Sequence, residues 1–267
     1  MNIPTDCLRI FPDYKDVFYG DIEAHERHFL PLCSLNLKFI DPHRDQWMHM
    51  VSVIEIFDAC VGDTTTQHHT QFTKADTFAF DVKQGKYCFD ASWDYFQIHE
   101  NIETRDYDNE HSETALGYAM NLSMYELKKA YFRQHGELSN RRMRPGLDSF
   151  DIESLKRLRK RTVEGLRESP IEAYSVERIE SKIGGVLDDI MFKSAKSLRN
   201  QIECGHSIEY LKSFSNHNFT APVTPNGDVF EYIASMEGYD FQKYAADQIY
   251  LFHDQALNKA IICLEYT

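Results

Sequence analysis

Phe230-Glu231-Tyr232-Ile233-Ala234-Ser235-Met236-Glu237 and, a short gap later, Gln248-Ile249-Tyr250-Leu251-Phe252-His253-Asp254 carry the strongest strand pattern in the chain. Both read as strands, rich in β-branched and aromatic residues. Alternate side chains of a strand face opposite sides, so Ile249 and Leu251 share one face and Tyr250 and Phe252 the other. Four large apolar residues in a row predict that both faces are covered. An echo lies near the other end of the chain. Leu30-Pro31-Leu32-Cys33-Ser34-Leu35-Asn36-Leu37 is followed by Val53-Ile54-Glu55-Ile56-Phe57-Asp58. Each pair is a strand with a small-polar step, a loop, then an apolar strand ending in an aromatic and Asp.

Further strands are predicted over 29–40, 78–82, 87–89, 93–98 and 260–266, and 47–57 reads as a buried strand or a short helix-to-strand segment. Lys83-Gln84-Gly85-Lys86 is a hairpin signal between two of them. Residues 62–73 are polar and read as a loop. Residues 115–135 are compatible with a helix that Gly136 would end. The clearest helical spacing is Ile152, Leu155, Leu158, Val163 and Leu166, which Ser149 or Asp151 can cap and Pro170 follows. The expected fold class is α+β: a mainly antiparallel β core in two related halves, with a helical segment near 149–169. One domain over 1–267 is expected, its halves at about 20–140 and 171–267 joined by a basic helical segment, 141–169.

Composition narrows the function. Phe and Tyr number 18 and 15 in 267 residues, too much large apolar surface for a disordered chain. No apolar run approaches the ~18 residues of a membrane helix, and residues 1–14 lack the apolar core of a signal peptide. A cytoplasmic location is expected. Cys7, Cys33, Cys60, Cys88, Cys204 and Cys263 show no C-x-x-C spacing and read as reduced core thiols. The net charge of −13 disfavours nucleic acid as a partner. Residues 141–167 go against that trend, with nine Lys or Arg against four acids, which leaves −18 on the remainder. Such a stretch is a solvated helix face or a ridge for an acidic partner.

The two echoing segments share a further property. Both resemble the YwqG-like family, a bacterial family of unknown function. Leu30–Leu37 (LPLCSLNL) with 50–57 is similar to that family's first-half strand pair. Ser181-Lys182-Ile183-Gly184-Gly185, Phe230–Gly238 (FEYIASMEG) and Ile249-Tyr250-Leu251-Phe252 are similar to its second-half turn and strands. Trp93 matches an aromatic strand between the halves. The resemblance covers 30–57 and 179–267. It departs from the family pattern at Val186 or Leu187, where Pro is usual, and at Ser34 and Ser235, where Gln is usual, as in a divergent member. It implies a β-rich α+β fold in two halves and, from the frequent placement of such genes near toxin genes, an immunity role. It implies no catalytic residues.

The residues carry no catalytic signature of their own. There is no G-x-S-x-G elbow and no phosphate loop at Gly184-Gly185, where a tight turn is expected. His25-x-x-His28, with Glu23 or Glu26 nearby, is the one histidine pair with helical spacing. It reads as structural, or as part of a metal site if a distant third ligand converges on it. No metal or other cofactor is expected.

The expected function is therefore non-enzymatic binding of a cognate protein, most concretely neutralisation of a basic toxin. The alternatives are a metal-assisted hydrolase built on His25 and His28, and a scaffold or regulatory subunit. The expected contact surface is the densest acidic stretch: Glu100, Glu103, Asp106, Tyr107, Asp108, Glu110 and Glu113. Tyr95 and Phe96 are read as anchors beside it or as core.

Overall fold

The computed structural model describes residues 3–55, 61–97, 203–204, 220–242 and 244–266, with residues 121, 122, 125, 126, 128–130, 132, 133 and 136 of the intervening stretch. The expected helix at 149–169, the basic segment 141–169, the turn at Gly184-Gly185 and the acidic stretch 100–113 lie outside the described residues.

The fold is α+β and mainly β. The strands are β1 (Leu8–Ile10), β2 (Phe29–Asn36), β3 (Trp47–Val53), β4 (Thr77–Lys83), β5 (Lys86–Phe89), β6 (Glu203–Cys204), β7 (Glu231–Met236), β8 (Gln248–Asp254) and β9 (Lys259–Glu265). Two short helices, α1 (Tyr14–Val17) and α2 (Ile22–His28), precede β2. One sheet runs β1-β2-β3, and the other runs β5-β4-β9-β8-β7-β6. Every pairing within them is antiparallel. The β4–β5 hairpin closes where the sequence signals it, with φ +55° at Gln84 and +73° at Gly85, the two left-handed positions of a tight two-residue turn. The described residues between 121 and 133 are helical. Gly136 follows at φ +67°, its N–H bonded to the Phe132 carbonyl, as a helix-ending glycine does.

The β2–β3 and β7–β8 hairpins echo each other in register, whereas β4 and β5, within the expected first half, pair into the sheet of the second. In the first, Pro31 faces Val51 and Cys33 faces Met50, so Leu32 is an extra residue. In the second, Tyr232 faces Phe252 and Ala234 faces Leu251, so Ile233 is the extra residue. Ser34 lies opposite His49 and Arg9, and Ser235 opposite Tyr250 and Glu203. A single 3-10 turn follows each central strand, Leu37–Phe39 and Gly238–Asp240. The counterpart of β8 is thus Trp47–Val53, not the expected 53–58, since β3 ends at Val53. The ending in an aromatic and then Asp is a likeness of letters only: pairing sets the equivalence, and Val51, opposite Pro31, stands where Phe252, opposite Tyr232, does. A second correction concerns 93–98. Trp93–Tyr95 is a 3-10 turn, because the Ser92 hydroxyl accepts from the Asp94 N–H and offers the backbone a local alternative to a ladder.

Both faces of β8 are covered. Ile249 and Leu251 join the main core, whereas Tyr250 and Phe252 pack with Ala79, Phe230, Tyr232, Ile261 and Cys263 on the other side of the sheet. The main core lies between the two sheets, where the Cys33 thiol points at the Met236 sulfur, 3.8 Å away. Burial raises the pKa of Cys33, and that of Cys263 to about 12, so both are protonated thiols. An aromatic cluster around Phe29, including Phe78, Phe80, Phe89 and Phe96, fills one end of this core. Each such side chain, fully buried, contributes about 1.5–3 kcal/mol.

Candidate functional site

The side chains singled out for chemistry are used structurally. In His25 the ring N–H at Nδ1 donates to the Asp21 carbonyl, and Nε2 accepts from the Phe89 N–H at 3.1 Å. Both nitrogens are occupied, and burial lowers the pKa against the pull of Asp21, keeping the ring neutral. His25 therefore has no lone pair to offer a metal without breaking a backbone bond. His28 is fully buried and stacks on Phe96 at 4.3 Å and on Trp93 at 5.7 Å. Among the described residues, no three His, Cys, Asp or Glu side chains converge as a metal-binding group.

A buried Ser-His pair, Ser34 and His49, has the composition of a nucleophile and its base. The Ser34 hydroxyl donates to Nδ1 of His49 at 2.7 Å, since Nε2–H donates to the Gly85 carbonyl at 2.9 Å. Burial brings His49 down to about 4. Ser34 is only 1% exposed, so the pair serves as a fixed cross-strand bond, not a reachable nucleophile.

Tyr95 and Phe96, read as anchors or core, are core. The Tyr95 hydroxyl lies 2.7 Å from the Val61 carbonyl and 2.8 Å from that of Lys74.

The structure offers exposed aromatics elsewhere, in the loop from Glu237 to Asp247 between β7 and β8. Tyr239 is 49% and Tyr244 38% exposed. The loop is Glu-Gly-Tyr-Asp-Phe-Gln-Lys-Tyr-Ala-Ala-Asp, three acids against one lysine. The residues around the two tyrosines are anchored inward: Gly238, Asp240, Phe241, Gln242, Ala245 and Ala246 are buried. Phe241 is fully buried and meets Phe11 edge-on at 5.0 Å. Gly238 packs so closely that a Cβ there would lie 2.8 Å from the Ala245 Cβ and 2.9 Å from the Ala246 carbonyl oxygen.

Buried polar side chains pin the loop backbone. The Gln242 amide donates to the Val53 carbonyl at 3.2 Å and to the Tyr244 carbonyl at 2.6 Å. Asn121 donates to the Ile54 carbonyl and accepts from the Tyr244 N–H at 3.1 Å. The Lys128 ammonium donates to the Tyr239 carbonyl at 2.7 Å. Both tyrosine backbones are thus held from below, by side chains from outside the loop as well as within it. Partial burial and then the nearby Asp247 carboxylate raise the Tyr239 pKa, so its phenol remains a neutral donor.

The sequence signalled this loop poorly. Gly238 and the exposed-buried spacing of Tyr239, Phe241 and Tyr244 are its marks, but the pinning residues Asn121 and Lys128 are distant in the chain. Searches against protein-family models, curated proteins and solved structures return no match.

Proposed function

We propose that the protein is a non-enzymatic binding protein that captures a basic partner protein, with Tyr239 and Tyr244 as its anchors. The observation that carries this reading is the pinning of both tyrosine carbonyls by buried donors, Lys128 and Gln242. A tyrosine on a preformed loop loses little conformational freedom on binding, so more of its contact energy reaches the affinity. The chemistry favours a cationic partner. Tyrosine faces attract guanidinium and ammonium groups, the loop carries three acids against one lysine, and the chain carries −13 overall. Glu100, Glu103, Asp106, Tyr107, Asp108, Glu110 and Glu113 would add to the same attraction. The resemblance to the YwqG-like family supports a specific partner, a bacterial toxin, with this chain as its immunity protein.

The test uses a partner identified from the neighbouring gene or by co-purification, and titrates Tyr239→Ala, Tyr244→Ala and the double variant against it. Each anchor removed should weaken binding by roughly tenfold or more, as interface anchors do. If the double variant binds like wild type, the loop is not the contact surface. If the purified chain turns over a substrate and retains no partner, the binding reading fails.

A further inference from the structure

His253 is a buried imidazole, 1% exposed, and among the described residues neither ring nitrogen has a hydrogen-bond partner. It sits on β8 directly across from Glu231 on β7 and Ala260 on β9. Glu231 in turn holds Arg44, whose Nη1 lies 2.7 and 2.9 Å from the two carboxylate oxygens. Arg44 belongs to the 37–46 loop of the small sheet, so this ion pair ties one sheet to the other. Its side chain is 20% exposed, that of Glu231 46%. Among the described residues, the charged groups that act on the ring are Arg44, Glu231 and Asp254. Asp254 is next along the strand and so points to the opposite face, which leaves Glu231 as the carboxylate on the ring's own side.

We propose that His253, Glu231 and Arg44 form an acid-operated latch between the two sheets. At neutral pH the imidazole is uncharged, and Glu231 holds Arg44 and, with it, the 37–46 loop. On acidification the ring gains a proton and two N–H donors, and a buried cation demands a carboxylate. Glu231 stands in register with it on a rigid ladder, whereas Arg44 rides on a loop and can return to water. The carboxylate turns to His253, and the loop is released. Burial and then Arg44 lower the pKa of His253, while Glu231 and Asp254 pull it upward, so the ring is neutral under ordinary conditions and opens the latch only in acid. The released loop is the first-half counterpart of the tyrosine-bearing loop, because each follows the central strand of its half through a 3-10 turn. This inference stands apart from the binding reading and needs no partner.

Amide hydrogen exchange over residues 37–46, measured from about pH 7.5 down to the onset of acid unfolding and corrected for intrinsic rates, tests it. Exchange in wild type should accelerate by about tenfold on acidification. His253→Asn should abolish that acceleration, and Glu231→Gln should leave the loop fast throughout that range. An unchanged wild-type rate, or an equal acceleration in His253→Asn, overturns the latch. If His253→Asn does not fold, wild-type NMR decides the matter. The Arg44 side-chain N–H signal must move with the His253 titration, and a stationary Arg44 signal overturns the proposal.

Discussion

Leu32 and Ile233 are the bulged residues of two hairpins that match position for position, one in each sheet. Each interrupts its ladder one residue before a small side chain, Cys33 or Ala234, which faces the partner strand's Met50 or Leu251. A bulge sets which side chains beyond it face the core, because the strand period is two. Deleting Ile233 would turn Glu231 and Tyr232 to the wrong faces, whereas Ile233→Ala removes only packing. The deletion should therefore lower the urea midpoint well beyond Ile233→Ala, itself expected to cost about 2–5 kcal/mol. Equal midpoints would show that the bulge does not set the register.

The Gly238 backbone leaves no room for a methyl group beside Ala245 and Ala246. Gly238→Ala must push the loop away from its support, at about 1–3 kcal/mol of stability. Because Tyr239 and Tyr244 themselves remain, a loss of partner affinity in this variant would show that their placement matters. An affinity equal to wild type, measured by calorimetry, would show that the loop need not be rigid.

Stability should fall in acid for a reason located at His49. In the unfolded chain its pKa is the ordinary 6.5, and burial brings it to about 4 in the folded protein. Between those values the unfolded state binds the extra proton, so stability is full above about pH 6.5 and is lost as pH falls toward 4. The loss from this residue is about 3 kcal/mol. His25 and His253 are shifted in the same direction by burial and add to it. His49→Gln should be less stable at neutral pH yet show a flatter decline, read from urea midpoints at pH values across that window. A decline as steep as wild type would place the acid sensitivity elsewhere.

Charge at the acidic stretch should act on encounter, not on the bound state. Replacing Asp106, Asp108 and Glu110 by Asn, Asn and Gln should slow association with the basic partner and flatten its salt dependence, leaving dissociation little changed. Association as fast as wild type at low salt would make the stretch a solvated bystander.

The features legible in the amino-acid sequence are local ones. The alternation of Ile249-Tyr250-Leu251-Phe252, the Gln84-Gly85 turn and the glycine at 136 that follows the described helical residues are each written in adjacent residues. The β-rich class follows from them. Other features arise only when distant segments meet. The bulges at Leu32 and Ile233 exist only relative to a partner strand, and only the pairing shows that Val51, not Phe57, is the counterpart of Phe252. Tyr95 and Phe96 read equally as anchors or core, and packing against Val61, Lys74 and His28 decided for core. His25 looked like a metal ligand until α2 delivered its nitrogens to the Asp21 and Phe89 backbone groups. The tyrosine loop owes its rigidity to Asn121 and Lys128, more than a hundred residues away from it. Tertiary structure decides such matters because a buried polar atom must find a partner wherever one is in reach, and reach is a property of the fold, not of spacing along the chain.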